Sequence, residues 1–130
     1  MIEATSFIID LLQDDPDAVH YLKGIEKANR PEKVASVTVL ELYEAVPQLD
    51  VPKERQQRIL DVLDTRHAVP ADETVMRKAG KISGRLLARG EEIDREDCII
   101  GATALLNDEP VVTRNVDHFE RINGLAVETY

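Results

Sequence analysis

Apolar residues follow two rhythms along this chain. Short continuous runs alternate with longer stretches where they recur every three or four positions. The run Ile2 to Thr5 reads as a buried strand, and Lys33 to Ser36, Ala68-Val69, Pro110 to Thr113 and Leu125 to Glu128 read as further strands. The spacing between them predicts helices. Ser6 is placed to cap a short one from Phe7 to Gln13. Asp15 followed by Pro16 opens a second, which runs to about Ala28. Val39, Leu42, Tyr43 and Val46 share a helical stripe that Pro47 ends. Pro52 starts another helix, with Ile59, Val62 and Leu63 on its core face. A long helix from about Asp72 to Arg89 buries Val75, Ala79, Ile82 and Leu86 and stops at Gly90. Helices over Arg95 to Asn107 and His118 to Ile122 complete the series.

Strands alternating with helices predict an α/β fold, a three-layer parallel sheet flanked by helices, in a single domain over residues 1–130. Ligands of such sheets bind beyond the carboxyl ends of the strands. Ala4, Ser36 to Glu41 and Thr113 to Asp117 fall at or just after those ends.

Composition narrows the choice little. A chain of 130 residues can bury roughly two-thirds of its unfolded surface, enough for one core. The longest apolar run, Cys98 to Leu106, has nine residues against the ~20 that a membrane helix needs. No basic start or apolar signal region is visible, so a cytoplasmic location and no membrane association are expected. The single cysteine excludes an internal disulfide and agrees with a reducing compartment. Sixteen basic against 25 acidic residues give a net charge of −9, which repels phosphate and on its own argues against nucleic acid as a partner.

Four segments change that picture: Met1-Ile2-Glu3-Ala4-Thr5-Ser6-Phe7-Ile8-Ile9-Asp10-Leu11-Leu12, Leu40-Glu41-Leu42, Asp97-Cys98-Ile99-Ile100-Gly101-Ala102-Thr103-Ala104 and Thr113-Arg114-Asn115. In this order they resemble the PIN-domain nucleases, most closely the VapC-type toxins of toxin–antitoxin pairs, over essentially the whole chain. The resemblance implies a PIN-like fold and hydrolysis of RNA by a water activated on Mg²⁺ or Mn²⁺. It also implies a homodimer and a cognate antitoxin protein that holds the nuclease inactive. The RNA would be tRNA or another structured RNA. In that family an aspartate usually precedes the Thr5-Ser6 pair as the first metal ligand, and here the position is Ala4. Thr5 and Ser6, similar to the motif's supporting hydroxyls, remain. Glu3 points to the opposite face of the strand and is a poor substitute. The resemblance therefore implies an impaired ribonuclease, or a PIN-fold module that binds RNA or an antitoxin without cutting.

Each remaining site residue has a plainer reading beside the one that the resemblance implies. By spacing, Glu41 sits on a solvated face with Glu44 and Gln48; by resemblance it is the second acidic ligand. Asp94 and Asp97 fit a capping box, with Ile93 and Cys98 as its hydrophobic staple. Gly101 and Ala104 continue the Asp97 face and let another backbone approach, and Asp97 matches the family's third acid. Asp94 is a further metal candidate. Asn115 and Asp117 suit a turn, and Thr113 can bond locally to the backbone. The family's fourth, variable acid falls at Asn115 or two residues on, which makes Asp117 the carboxylate candidate and leaves Asn115 to hold a metal-bound water.

Several close carboxylates repel one another unless a cation lies between them, and Mg²⁺ or Mn²⁺ prefers such hard oxygen ligands. Arg77, Lys81 and Arg85 share a face of the long helix, which as a plain reading is solvated surface. Arg114, Arg85 and Lys81 are the expected RNA contacts, Arg114 foremost because a guanidinium grips phosphate with two bonds. His20, His67 and His118 lack zinc spacing, and no phosphate-cradling glycine loop or nucleophile elbow is present. A receiver-like signalling domain would need an aspartate ending a central apolar strand and a lysine ending a later one, and neither is evident.

Overall fold

A computed structural model describes residues 1–130. Five short strands, β1 (Ile2–Glu3), β2 (Lys33–Ala35), β3 (His67–Val69), β4 (Val111–Val112) and β5 (Val127–Glu128), form one sheet in the order β3-β2-β1-β4-β5. Every neighbouring pair is parallel. Seven helices connect them: α1 (Thr5–Leu12), α2 (Pro16–Lys27), α3 (Ser36–Ala45), α4 (Lys53–Asp61), α5 (Glu73–Ala88), α6 (Arg95–Leu106) and α7 (Val116–Glu120). The expected three layers are present.

Most helix boundaries follow from their end residues. The Asp15 side chain accepts from the amides of Asp17 and Ala18, so Pro16 opens α2 as the sequence implies. Asp72 caps α5 through the Val75 amide. Gly90 ends that helix at φ +68, and the Glu91 and Gly90 amides reach back to the carbonyls of Leu86 and Leu87. Val75, Ala79, Ile82 and Leu86 all lie buried.

Two expected caps fail. The first helix begins at Thr5 rather than Phe7, with Ala4 at its N-cap and no side-chain cap. The Ser6 hydroxyl sits in the first turn and bonds across to Thr113 and Arg114 instead. Asp94 is the N-cap residue of α6, but its carboxylate caps nothing, so the capping box with Asp97 does not form. Asp97 turns to His118.

β1 lies mid-sheet, and its two faces meet different surroundings. Ile2 and Ala4 join the larger core cluster, which α5 and α6 cover. Glu3 points the other way and is fully buried. Arg66, just before β3, meets it at 2.9 Å through Nε and reaches Glu32 at 3.1 Å. Burial raises the Glu3 carboxyl above the usual range, against the pull of Arg66, and Oε2 has no partner. This pair ties β1 to the loops before β2 and β3 on the face away from Ala4.

Arg66→Ala would strand a buried carboxylate and should cost about 3–5 kcal/mol at neutral pH. In chemical denaturation the loss should shrink as pH falls, because a protonated Glu3 needs no cation. Glu3→Leu added to Arg66→Ala should recover much of it.

Candidate active site

β1 has β2 on one side and β4 on the other, and the chain order reverses direction across the β1–β4 pair. That is where open parallel sheets form a crevice. Hydrogen bonds close this one. Ser6 Oγ and Thr113 Oγ1 are 3.2 Å apart, and Thr113 Oγ1 also accepts the Asn115 amide at 2.9 Å. The Arg114 amide donates to Ser6 Oγ at 3.2 Å. Thr113 is fully buried, so the local bond expected for it exists and also holds β1 and β4 in register at their carboxyl ends.

Glu41 enters from α3. Its Oε1 lies 2.7 Å from Thr5 Oγ1, which is in turn 3.1 Å from Thr38 Oγ1. Thr38, Leu42 and Val46 form the buried stripe of that segment; of the expected Val39, Leu42, Tyr43 and Val46, Tyr43 is exposed and Thr38 takes the innermost place at the start, a small rotation of the helix. That rotation brings Glu41 inward to half-burial. Asp97 enters from the first turn of α6, its Oδ2 lying 3.2 Å from His118 Nδ1. Small residues let α6 approach: a β-carbon on Gly101 would stand 2.5 Å from Ile122 Cδ1.

The two carboxyls share one electrostatic environment. Burial raises the Glu41 carboxyl; its hydrogen bond from Thr5 opposes this, and the charges of Asp97, Glu96 and Asp94 add to the rise. Asp97 is raised chiefly by burial and further by Asp94 and Glu96, while His118 pulls it down. Acids on α3 and α6 thus gather where the two helices pack, and their charges add to the rise of Glu41 and Asp97. No three His, Cys, Asp or Glu side chains stand close enough to enclose a metal ion. Mg²⁺, however, is commonly held by one or two carboxylates with several waters retained, and the Glu41–Asp97 donor set fits that arrangement.

The other candidates are placed differently. Ala4 is 2% exposed at the head of α1, its methyl among the core residues between the sheet and the helices above it. Asp94 is exposed, close enough to raise both Glu41 and Asp97. Asn115 and Asp117 are exposed and border a shallow hollow of about 240 Å³ with Arg114, Val116 and His118. From this short helix the side chain that reaches Asp97 is His118. Its spacing from His20 and His67 carries no metal signature, so nothing local in the sequence marks this histidine out.

Arg114 is pinned to Asp10, with Nη1 2.5 Å from Oδ1, and its side chain remains 57% exposed. Asp10 was also overlooked, although a lone acid in the apolar run Phe7-Ile8-Ile9-Asp10-Leu11-Leu12 is a visible signal. Arg85 is exposed in the half of α5 that packs near Asp94 and Arg95. Lys81 borders a hollow with Arg77, Lys78 and Leu106. Leu106 ends α6, about 13 Å along the helix from Asp97. Lys81 therefore lies toward the far end of α6 and not on the cleft's rim.

The comparisons agree with this fold. A ribonuclease named VapC1 from Methanocaldococcus jannaschii is 27% identical over 100 residues, covering 76% of this chain and 70% of that protein. VapBC2 of Rickettsia felis, solved with a DNA fragment from its promoter, superposes with a TM-score of 0.86 at 24% identity, covering 99% of this chain and 97% of that one. DNA-bound VapBC of Salmonella typhimurium gives 0.87 at 21% identity, over 98% and 96%. FitAcB of Neisseria gonorrhoeae gives 0.78 at 25% identity, over 97% and 94%. The PIN-domain family profile matches residues 2–125, and the chain belongs to the PIN-domain family.

Proposed function

We propose that this chain is a VapC-type ribonuclease toxin of a toxin–antitoxin pair whose cleavage is impaired by Ala4. The observation that carries this reading is the pair of largely buried carboxyls, Glu41 on α3 and Asp97 on α6, raised by burial and by neighbouring acids where the two helices pack. It lies beside the Thr5, Ser6 and Thr113 hydroxyls at the sheet's carboxyl edge in a PIN fold. Ribonuclease activity is the named property of the Methanocaldococcus relative.

Glu41 and Asp97 would hold Mg²⁺ or Mn²⁺, with Asp94 and Asp117 as outer acids and Asn115 available to a bound water. Once bound, such a cation activates water and polarises the phosphoryl oxygen. Thr5 fixes the Glu41 carboxylate, and His118 fixes the rotamer of Asp97. Ser6 and Thr113 keep the two strand ends together. Arg114 and Arg85 supply positive charge near a cleft that is otherwise acidic. Lys81, farther along α5, would reach only an extended RNA. The partners in this reading are a structured RNA such as tRNA, a second copy in a homodimer, and an antitoxin protein. Several structural neighbours are VapBC complexes, no helix here is long and apolar enough to cross a membrane, and a cytoplasmic location belongs to this reading.

The second reading is a PIN module that binds without cutting. It is favoured by Ala4 together with the lack of a three-residue metal cluster.

Ala4→Asp separates the two. Residue 4 is an N-cap with extended backbone and no capping side chain, a place where aspartate is preferred over alanine by about 0.5–2 kcal/mol. In a gel assay with Mn²⁺ and no antitoxin, the substituted chain should cleave structured RNA and the unaltered chain should do so poorly. An inert Ala4→Asp protein across a panel of structured RNAs would favour the binding module.

A second expectation concerns pH. Glu41 and Asp97 hold protons more tightly folded than unfolded, so their contribution to stability declines as pH rises through the carboxyl range toward neutrality. Glu109 and Glu128, held low by Lys33 and Arg30, act in the opposite sense. In EDTA, Glu41→Gln should therefore raise Tm more at pH 7.5 than at pH 4.5. Mg²⁺ should raise the Tm of the unaltered chain at pH 7.5 but not that of Glu41→Gln.

A further inference from the structure

Asp10 is the one carboxylate in α1 below the site, and its side chain is only 6% exposed. Both oxygens are engaged. Oδ1 takes the Arg114 guanidinium at 2.5 Å, and Oδ2 takes the Tyr130 hydroxyl at 2.5 Å. The Tyr130 ring is itself fixed, with its centroid 5.0 Å from that of Phe7 and 6.2 Å from that of Tyr21. Arg114 is fastened twice to one helix. Its amide donates to Ser6, and its guanidinium meets Asp10 one turn farther on. The rest of its donor fork faces solvent beside the hollow lined by Asn115 and His118. A buried acid with both oxygens engaged thus fixes the direction of an exposed cation beside the hollow that His118, the partner of Asp97, also lines.

We propose that Asp10 is a positioning residue for RNA: it aims the free donors of Arg114 at a phosphate of a strand crossing the Glu41–Asp97 cleft, and Tyr130 locks Asp10 in that pose. The inference rests on the ribonuclease reading above. A merely structural ion pair would tie α1 to the loop after β4 and would compete with phosphate for the guanidinium. The two roles predict opposite signs. If Asp10 aims Arg114, weakening the pair weakens RNA binding; if it competes, weakening the pair tightens binding. Removing a negative charge by itself also favours RNA, so a loss of affinity on removing the Asp10 charge is the outcome that general electrostatics would not give.

The test is the affinity of a fluorescently labelled RNA hairpin in EDTA, read by anisotropy over a range of salt concentrations. The proteins are the unaltered chain, Asp10→Asn, Tyr130→Phe, Arg114→Ala and the Asp10→Asn/Arg114→Ala double variant. Arg114→Ala should weaken binding roughly 3- to 10-fold, about one hydrogen bond's worth, and lower the salt slope by about one contact. Asp10→Asn should weaken binding in the same way, yet have no further effect once Arg114 is alanine. Tyr130→Phe keeps the ring and should act in the same direction with smaller size. It carries the test if thermal melts show Asp10→Asn unfolded. Asp10→Asn or Tyr130→Phe binding more tightly, or losing as much affinity without Arg114 as with it, would overturn the positioning role while leaving the ribonuclease reading intact. An Arg114→Ala protein with unchanged affinity and salt slope would remove Arg114 from the RNA contacts and overturn the proposal with it. Cleavage by Ala4→Asp reports on the ribonuclease reading separately.

Discussion

The backbone ladder around β1 sets the position of every side chain in the cleft. The Ile2 amide meets the Pro110 carbonyl at 2.8 Å, the Ala4 amide meets Val112 at 2.9 Å, and the Lys33 amide meets Met1 at 3.2 Å on the other side. A parallel strand held on both edges cannot slip by one residue without exchanging its faces. Residue 4 must therefore face the cores of α5 and α6, and residue 3 must face away. From that register α1 leaves with Thr5 turned to Glu41 and Ser6 turned to Thr113. Those hydroxyls and the sheet edge thereby fix where the acids of α3 and α6 stand relative to one another.

Electrostatics reinforces the geometry. The chain carries nine excess negative charges, and part of that excess is concentrated where α3 meets α6. Glu41 and Asp97 resist ionisation there, so the fold itself opposes the local charge until a cation or protons relieve it. The basic side chains are distributed unevenly. Lys81 and Arg77 gather toward the far end of α6, whereas Arg114 stays at the cleft because Asp10 anchors it.

Much of this was legible from local pattern. Apolar spacing marked every strand and helix to within a few residues, and Asp15-Pro16, Asp72 and Gly90 marked helix ends because capping is a short-range interaction. The failures share one cause. Ser6, Asp94 and Asp97 each have a plausible local partner, and in the folded chain Ser6 and Asp97 are claimed by groups 107 and 21 residues away. A hydroxyl or carboxylate goes to the stronger or better-placed group, and sequence spacing cannot rank partners from another element. Glu41 shows the same limit: its neighbours on the helix are polar, and only the hydroxyl of Thr5 reveals which way it points. The resemblance supplied its role, since periodicity alone favoured solvent.

Ala4 has a consequence in heredity as well as in chemistry. Any aspartate codon becomes an alanine codon by one change at its middle base, and the reverse step is equally short for the two alanine codons that end in a pyrimidine. The hydroxyls of Thr5, Ser6, Thr38 and Thr113 are all hydrogen-bonded near residue 4, and the helix it begins has no side-chain cap. With such an alanine codon at position 4, an aspartate at the head of this helix is a single base change away.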